Sequence, residues 1–143
     1  VVITHPDDSW DHHEDLLKNC VDLWDALNLH YEVVNICTGD MGTVAAKKYD
    51  LEAWLPGVES FKEVVSCSNC TDYQANRLQI RYGQPGHSGQ PIAHTLNSTA
   101  VATSRALVAI MEQNQLEDGR VVIPQVLRPH MGGQEILEPC NWG

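Results

Sequence analysis

The sequence predicts an α+β fold in which an antiparallel sheet is flanked by helices, and three observations support this prediction. Segments with strand character outnumber helical segments over the 143 residues. Most neighbouring segments are joined by short turns, whereas a parallel sheet needs long helical crossovers. Residues 9–28 repeat apolar side chains every three or four positions, as an amphipathic helix does. We therefore expect one domain built around one hydrophobic core.

The composition excludes several functional classes. No run of about 18 apolar residues is present, so we expect no membrane partner. The net charge is −10, and the nine basic residues do not cluster, which disfavours a broad nucleic-acid surface and predicts no DNA partner. Five cysteines, an odd number in core-like segments, favour a reducing, cytoplasmic compartment over a disulfide framework.

The predicted elements follow in a simple order. A strand at residues 1–4 precedes the helix at 9–28, which Ser9 would cap. The β-branched run at 31–38 indicates a buried strand, whereas 48–55 alternates and would place Asp50, Glu52 and Trp54 on one polar face. Later segments are strands at 61–68, 78–82, 92–97 and 121–123, helices at 71–78 and 98–115, and an irregular tail at 124–143. The start lacks Met and looks like mid-strand, so we expect a missing N-terminal part.

The helix predicted at residues 98–115 should open on Ser98 or Thr99, and small side chains would let it lie close to the sheet. One cation, Arg105, interrupts this surface. Burial of an unpaired charge is unfavourable, so Arg105 needs an anionic partner. The partner is either an acidic residue of this chain or a bound phosphate, and the spacing alone does not choose between them.

Glu63 and Ser66 are candidate ligands for a divalent cation. A carboxylate and a hydroxyl, completed by phosphate oxygens, form an ordinary Mg²⁺ coordination sphere. Residues three apart on a strand point to opposite faces, so we expect the strand to bend or end near Ser66. The alternative is that Glu63 simply pairs with Lys62 or Arg77.

The pair Cys67 and Cys70 matches a CxxC pattern, which opens a zinc or redox hypothesis. No second ligand pair stands at suitable spacing, so buried or site-lining cysteines are the favoured interpretation. The histidines of His12-His13-Glu14 are expected on a solvated helix face.

Four stretches together resemble the catalytic domain of bacterial-type seryl-tRNA synthetase, a class II aminoacyl-tRNA synthetase. They are KKYDLEAWLPG (47–57), EVVSCSNCTDYQ (63–74), HTLNSTAVATSRALVAIMEQNQ (94–115) and VIPQVLRPHM (122–131). The resemblance implies that residues 1–143 are the C-terminal portion of the catalytic core. The tRNA-binding arm and the first two signature motifs would lie outside this segment, which alone should not aminoacylate.

The resemblance also implies roles for particular residues. Arg105 would be the catalytic arginine of the third signature motif and would bind the γ-phosphate of ATP. Residues Glu63, Val64, Val65 and Ser66 would line the ATP site, with Glu63 and Ser66 toward Mg²⁺. Asn97 and Thr99 would bind L-serine, with Thr99 at its hydroxyl. Asn76 departs from the family, which usually has an arginine there.

The implied enzyme is a homodimeric serine–tRNA ligase with ATP as substrate and Mg²⁺ as cofactor. It would activate L-serine to seryl-adenylate and transfer the seryl group to tRNA(Ser) and tRNA(Sec). The alternatives are a catalytically reduced relative that acts as a binding module, and a ligase that aminoacylates a carrier protein.

Overall fold

A five-stranded antiparallel sheet organises the chain in the computed structural model, which describes residues 1–84 and 86–140. The spatial order is β1-β5-β4-β3-β2, and each neighbouring pair is antiparallel. The strands are β1 (Val2–Thr4), β2 (Tyr31–Asn35), β3 (Lys47–Leu55), β4 (Ser60–Asn69) and β5 (His94–Ser98). The predicted α+β fold with an antiparallel sheet is therefore confirmed.

Two helices cover one face of this sheet and enclose the core. Helix α1 spans Ser9–Ala26 and helix α3 spans Thr103–Gln113. Trp24 of α1 and Ala109 of α3 are fully buried with Leu51 of β3, and all three belong to one hydrophobic cluster. The apolar spacing of α1 explains this arrangement, because only one side of the helix can meet the sheet.

The remaining elements are short. Helix α2 spans Tyr73–Leu78, and β6 (Val121–Val122) pairs with β7 (Ile136–Leu137) in a separate two-stranded sheet. A 3-10 helix at Gln125–Met131 occupies part of the tail that the sequence predicted to be irregular. Residues 141–143 of that predicted tail lie outside the described residues. Within the described part, no helix has both the length and the apolarity that a bilayer crossing requires.

A β-bulge interrupts the pairing of β3 with β4. Leu51 lies opposite Val65 and Glu52 opposite Glu63, so Val64 is the extra residue on β4. Val64 and Val65 are both about 1% exposed and both belong to the core cluster. An extra residue shifts the alternation of one strand relative to its partner. The bulge therefore returns Glu63 to the face that carries Ser66.

The predicted start of the helix at residues 98–115 was wrong. Helix α3 begins at Thr103, with Ala102 as its N-cap residue, and does not open on Ser98 or Thr99. Ser98 instead ends β5, where its hydroxyl lies 3.2 Å from Cys20 Sγ. Trp24 Nε1 donates to the Ala100 carbonyl at 3.1 Å, which holds the connecting segment in a non-helical path.

Three further expectations also failed. Residues 78–82 form no strand, because only Arg81 bridges across to Ile92. Strand β2 is an edge strand whose residues are mostly exposed or half-buried, although its β-branched run predicted burial. Ser9 does not cap α1: it is the first helical residue, and its hydroxyl donates to the Pro6 carbonyl at 3.0 Å.

Candidate active site

The predicted cation ligands Glu63 and Ser66 lie on the sheet face opposite the helical core, which we call the open face, and Arg105 contacts Glu63 from the first turn of α3. Strand β3 fixes this assignment, because Lys47 and Tyr49 contact Glu14 of α1 on the helical side. The period of two then places Lys48 and Asp50 on the open face. Asp50 is paired with Ser66 of β4, which brings the polar residues of two strands together.

The main cleft of the open face has a volume of about 360 Å³. It is lined by residues from β4, from the segment after β5 and from the start of α3: Glu63, Val64, Ser66, Thr99, Ala102, Ser104 and Arg105. The Thr99 N–H donates to the Ser66 carbonyl at 3.1 Å, which ties the segment after β5 to β4. Five predicted site residues, Glu63, Val64, Ser66, Thr99 and Arg105, thus line one cleft.

Glu63 and Ser66 share this cleft because β4 is irregular between them, which agrees with the predicted bend and not with the alternative, a strand end. Strand β4 continues to Asn69, so the expected strand end at Ser66 was wrong. The bulge at Val64 supplies the necessary change of face instead. The three-residue spacing is compatible with one site only because of this irregularity.

Arg105 contacts Glu63 directly. Arg105 Nη1 donates to the Glu63 carbonyl at 3.0 Å and lies 3.3 Å from Glu63 Oε1. The two side chains are 57% and 43% exposed, so this ion pair contributes only about 0–1 kcal/mol to stability. The internal salt bridge considered from the sequence therefore exists, but it leaves the guanidinium accessible from the cleft.

The alternative partners of Glu63 are placed differently. Arg77 lies on α2, where its guanidinium carbon sits 3.8 Å from the centre of the Tyr73 ring. Lys62 lines an adjoining cavity of about 420 Å³ together with Glu63 and Arg105. The adjoining cavity therefore contains a second cation, which the sequence suggested only as an ion-pair partner.

The N-terminus of α3 also faces the main cleft. No side chain caps this helix, whose first residues include the cleft-lining Ser104 and Arg105. The first N–H groups of a helix lack intrahelical partners and carry a partial positive charge. Such a terminus favours an anion, and phosphate is a frequent ligand there.

Asn97 lies in a second cavity of about 270 Å³ next to the main cleft. The lining residues come from the segment after β2 and from β3, β4, α2 and β5: Met41, Gly42, Thr43, Val44, Ala45, Lys48, Ser68, Cys70, Gln74 and Asn97. Asn97 Nδ2 lies 3.5 Å from Cys70 Sγ. The structure thus places the two predicted serine ligands, Asn97 and Thr99, in neighbouring cavities. Of the predicted ATP-site valines, Val64 lines the main cleft, whereas Val65 packs into the core.

Sequence reasoning missed an ion pair between Lys48 and Asp50. Lys48 Nζ lies 2.9 Å from Asp50 Oδ2, and these side chains are only 16% and 4% exposed. Burial raises the pKa of the Asp50 carboxyl, and the Lys48 ammonium opposes that shift. Burial lowers the pKa of Lys48, but the bond to Asp50 reverses the direction, so that pKa is raised. The sequence pattern that could have revealed this pair is the alternation of β3, which predicted a face that carries acidic residues.

The cysteine pair does not form a site. Cys67 Sγ points toward α1, 4.0 Å from the His13 carbonyl, whereas Cys70 lies in the Asn97 cavity on the open face. Burial raises the pKa of Cys67 to about 11, which keeps the thiol protonated and poor as a metal ligand or nucleophile. Among the described residues, no three His, Cys, Asp or Glu side chains converge as a metal site would require.

His13 departs from the expected solvated face. It is fully buried, its Nε2 lies 3.1 Å from the Cys67 carbonyl, and its ring stacks on Tyr49 at 5.2 Å. Burial lowers the pKa of His13, since the charged form would lose its hydration.

The chain matches a family model described as the tRNA synthetase class II core domain (G, H, P, S and T) over residues 1–114. A serine–tRNA ligase from Methanospirillum hungatei is 59% identical over 137 residues, which cover 95% of this chain and 32% of the relative. The chain therefore spans about a third of the length of the curated relatives that it matches.

Solved structures give the same result. A seryl-tRNA synthetase from Pyrococcus horikoshii complexed with ATP superposes with a TM-score of 0.93 at 53% identity, covering 98% of this chain and 31% of that one. A cytoplasmic serine–tRNA ligase from Naegleria fowleri in complex with AMP gives a TM-score of 0.90 at 42% identity, covering 97% of this chain and 33% of that one. These relatives are archaeal and eukaryotic, so the bacterial-type qualifier stays a prediction.

Proposed function

This chain belongs to the class II tRNA synthetase core domain family, and we propose that it provides part of the ATP and serine sites of a serine–tRNA ligase. The observation that carries the proposal is the cleft that Glu63, Ser66, Thr99 and Arg105 line together. The Arg105 cation suits the phosphates of a nucleoside triphosphate, and the Glu63 carboxylate suits the metal ion that accompanies it. The names of the relatives at 54–59% identity supply the amino acid.

The proposed reaction has two steps. A carboxylate oxygen of L-serine attacks the α-phosphorus of ATP, the bond to the bridging oxygen breaks, and pyrophosphate leaves. A hydroxyl of the terminal ribose of tRNA(Ser) then attacks the acyl carbon, loses its proton and releases AMP. Because such a reaction depends on orientation and charge neutralisation, a nucleophilic side chain is not required.

Arg105 serves the first step as a phosphate ligand. Its guanidinium borders the cleft beside the free N–H groups of α3, so a terminal phosphate can contact both. Phosphate binding would exchange the weak, exposed contact with the Glu63 carboxylate for a charge-assisted one. Glu63 is thereby released to face a cation.

Glu63 and Ser66 fit a Mg²⁺ ion by donor type and by placement. One carboxylate and one hydroxyl on the same face leave most of the coordination sphere to phosphate oxygens and water, as Mg²⁺ prefers. Glu52 lies directly opposite Glu63, a like-charge pair that would favour a metal cation once Arg105 exchanges its contact with Glu63 for a phosphate. When bound, Mg²⁺ supplies neutralisation of the developing phosphate charge.

Thr99 and Asn97 would bind the amino acid. The Thr99 side chain borders the same cleft as Arg105, so a serine hydroxyl there is close to the phosphates. Hydrogen bonding of a substrate hydroxyl by the site selects strongly against an analogue that lacks it. We extend the proposal to a homodimer in the cytoplasm on the same family basis.

The test is serine-dependent exchange of pyrophosphate into ATP, measured on the natural full-length protein that contains these residues. We expect Arg105→Ala to lower the exchange rate by about 100- to 1000-fold, the range for loss of one donor to a developing charge. The matched control is Arg120→Ala, since Arg120 pairs with Asp118 after the C-terminal end of α3 and does not line the cleft. An unchanged rate in Arg105→Ala would contradict the proposed role.

A further inference from the structure

One oxygen on the open face has no bonding partner although it is buried. Asp50 is 3% exposed, and its Oδ1 makes no hydrogen bond within the described residues. The other oxygen, Oδ2, is held by Lys48 Nζ at 2.9 Å. A buried, unpaired carboxylate oxygen is unfavourable, and such groups are often explained by a function or a bound ligand.

The neighbour that can satisfy this oxygen is Ser66. The two residues are direct partners across β3 and β4, and Ser66 lines the main cleft. Directly opposite residues place their Cβ atoms about 4.5–5.5 Å apart, so a short hydroxyl side chain can reach the partner carboxylate. Lys48 holds Oδ2 alone, so Oδ1 is left without a partner.

The chemistry of a hydroxyl ligand explains why this partner is needed. A neutral serine hydroxyl binds a cation through an oxygen lone pair, so its proton points away from the cation and requires an acceptor. Groups in contact with metal ligands orient them and raise their basicity. Asp50 stands directly across the sheet ladder from Ser66, and its other oxygen, Oδ2, is held by Lys48.

We propose that Asp50 is a positioning residue: its Oδ1 accepts a hydrogen bond from the Ser66 hydroxyl and so orients the hydroxyl oxygen toward a divalent cation in the cleft. The proposal rests on the proposed function, because that function assigns Ser66 to the cation. Lys48 has a supporting role, since it holds Oδ2 and leaves Oδ1 as the available acceptor.

The test measures divalent-cation affinity rather than catalysis alone. Binding of Mn²⁺ in the presence of a non-hydrolysable ATP analogue can be followed by electron paramagnetic resonance in the natural full-length protein. We expect Asp50→Asn to weaken Mn²⁺ binding about 10- to 100-fold, the effect typical of losing such an outer partner. The Asn oxygen must turn to Lys48, so its NH₂ group faces Ser66 and offers no acceptor.

The matched control is Glu14→Gln. Glu14 also pairs with a lysine of β3, because Lys47 Nζ lies 3.0 Å from its Oε1, but this pair is on the helical side of the sheet. We expect unchanged Mn²⁺ affinity in this variant. An equal loss in Glu14→Gln and Asp50→Asn would overturn the proposal, since it would point to a general effect of removing a carboxylate.

A double-mutant cycle separates positioning from simple stability. If Asp50 acts through Ser66, then Asp50→Asn will add little to the affinity loss of Ser66→Ala. Additive losses would overturn the proposal. Should Asp50→Asn fail to fold, the pair Asp50→Glu and Asp50→Gln gives the same comparison: the carboxylate should keep more affinity than the amide, and equal affinities would count against Asp50.

The two proposals fail in different ways. If the natural chain neither binds Mn²⁺ with the nucleotide nor exchanges pyrophosphate, the proposed function fails, and the role of Asp50 fails with it. If the natural chain does both while Asp50→Asn binds Mn²⁺ as tightly, only the role of Asp50 is overturned.

Discussion

At the scale of single residues, the candidate site combines groups whose positions depend on their neighbours more than on their own type. Arg105 is exposed and loosely paired, whereas Asp50 is buried and firmly paired. The exposed pair can open for a ligand at small cost, because surface ion pairs contribute only about 0–1 kcal/mol. The buried Lys48–Asp50 pair is suited to a structural role, because neither side chain is free to exchange its partner for a ligand from solvent.

Thr99 is the residue at which amino-acid selection can be tested. We expect Thr99→Val to raise the KM for serine about 10- to 1000-fold and to change the KM for ATP much less, because a valine cannot hydrogen-bond the substrate hydroxyl. Thr99→Ser keeps the hydroxyl and should stay near the natural KM. Steady-state kinetics of pyrophosphate exchange measures both constants, and equal effects on serine and ATP would contradict the assignment.

His13 predicts a dependence of stability on pH. Its folded-state pKa lies below the usual 6.5, so the unfolded chain takes up a proton first as the pH falls. The stability from neutral, buried His13 is therefore complete above about pH 6.5 and decreases as the pH drops through the unfolded pKa toward the folded one. Urea unfolding at pH 8 and pH 5 should show a smaller stability loss in His13→Gln than in the natural chain, and equal losses would exclude this contribution.

At the scale of elements, irregular features position the site. The bulge in β4 places Glu63 and Ser66 on one face, and the late start of α3 leaves residues 99–102 free to border the cleft. A helix that began at Ser98 would have carried Thr99 away in a helical turn. Trp24 ties this segment to α1 by donating to the Ala100 carbonyl.

The start of α3 can be tested with proline. Thr103 is exposed and is the first helical residue, a position at which proline is favoured, so Thr103→Pro should change the melting temperature little. Leu107→Pro, also at an exposed position but inside the helix, should cost about 3 kcal/mol or more. Circular dichroism melting compares the two variants. Similar losses would mean that the helix starts before Thr103.

At the scale of the whole molecule, the sheet separates a packed side from a chemical side. Helices α1 and α3 bury one face, so the fold's stability rests there, while the open face is left for polar groups and ligands. This division lets the site contain an unsatisfied carboxylate and like-charge neighbours without loss of the core.

The division predicts unequal sensitivity to truncation of side chains. Leu51 is fully buried at the centre of the core, so Leu51→Ala should lower the free energy of unfolding by about 2–5 kcal/mol. Val33 lies on edge strand β2 and is 43% exposed, so Val33→Ala should have a much smaller effect. Chemical denaturation measures both, and a comparable loss at Val33 would show that β2 is buried by another surface.

Much of the fold was predictable because it depends on local periodicity. The period-two pattern of β3 gave its faces correctly, and the apolar spacing of α1 gave a helix close to its observed bounds. Burial was less predictable, since β2 has the composition of an interior strand and yet lies at the sheet edge. The composition of a strand shows whether its side chains could be buried, whereas its position in the sheet decides how many neighbouring strands cover it.

The sequence by itself determined the antiparallel α+β fold, the family resemblance and the residue types that a phosphate, a cation and a hydroxyl require. Only the tertiary structure decided how these residues meet. The bulge at Val64 places Glu63 and Ser66 on the same face, and the pairing of β3 with β4 places Asp50 opposite Ser66. The Trp24 hydrogen bond holds the segment that precedes α3. The physical reason is that periodicity is a local property, whereas register and bulges are fixed by pairing between distant segments.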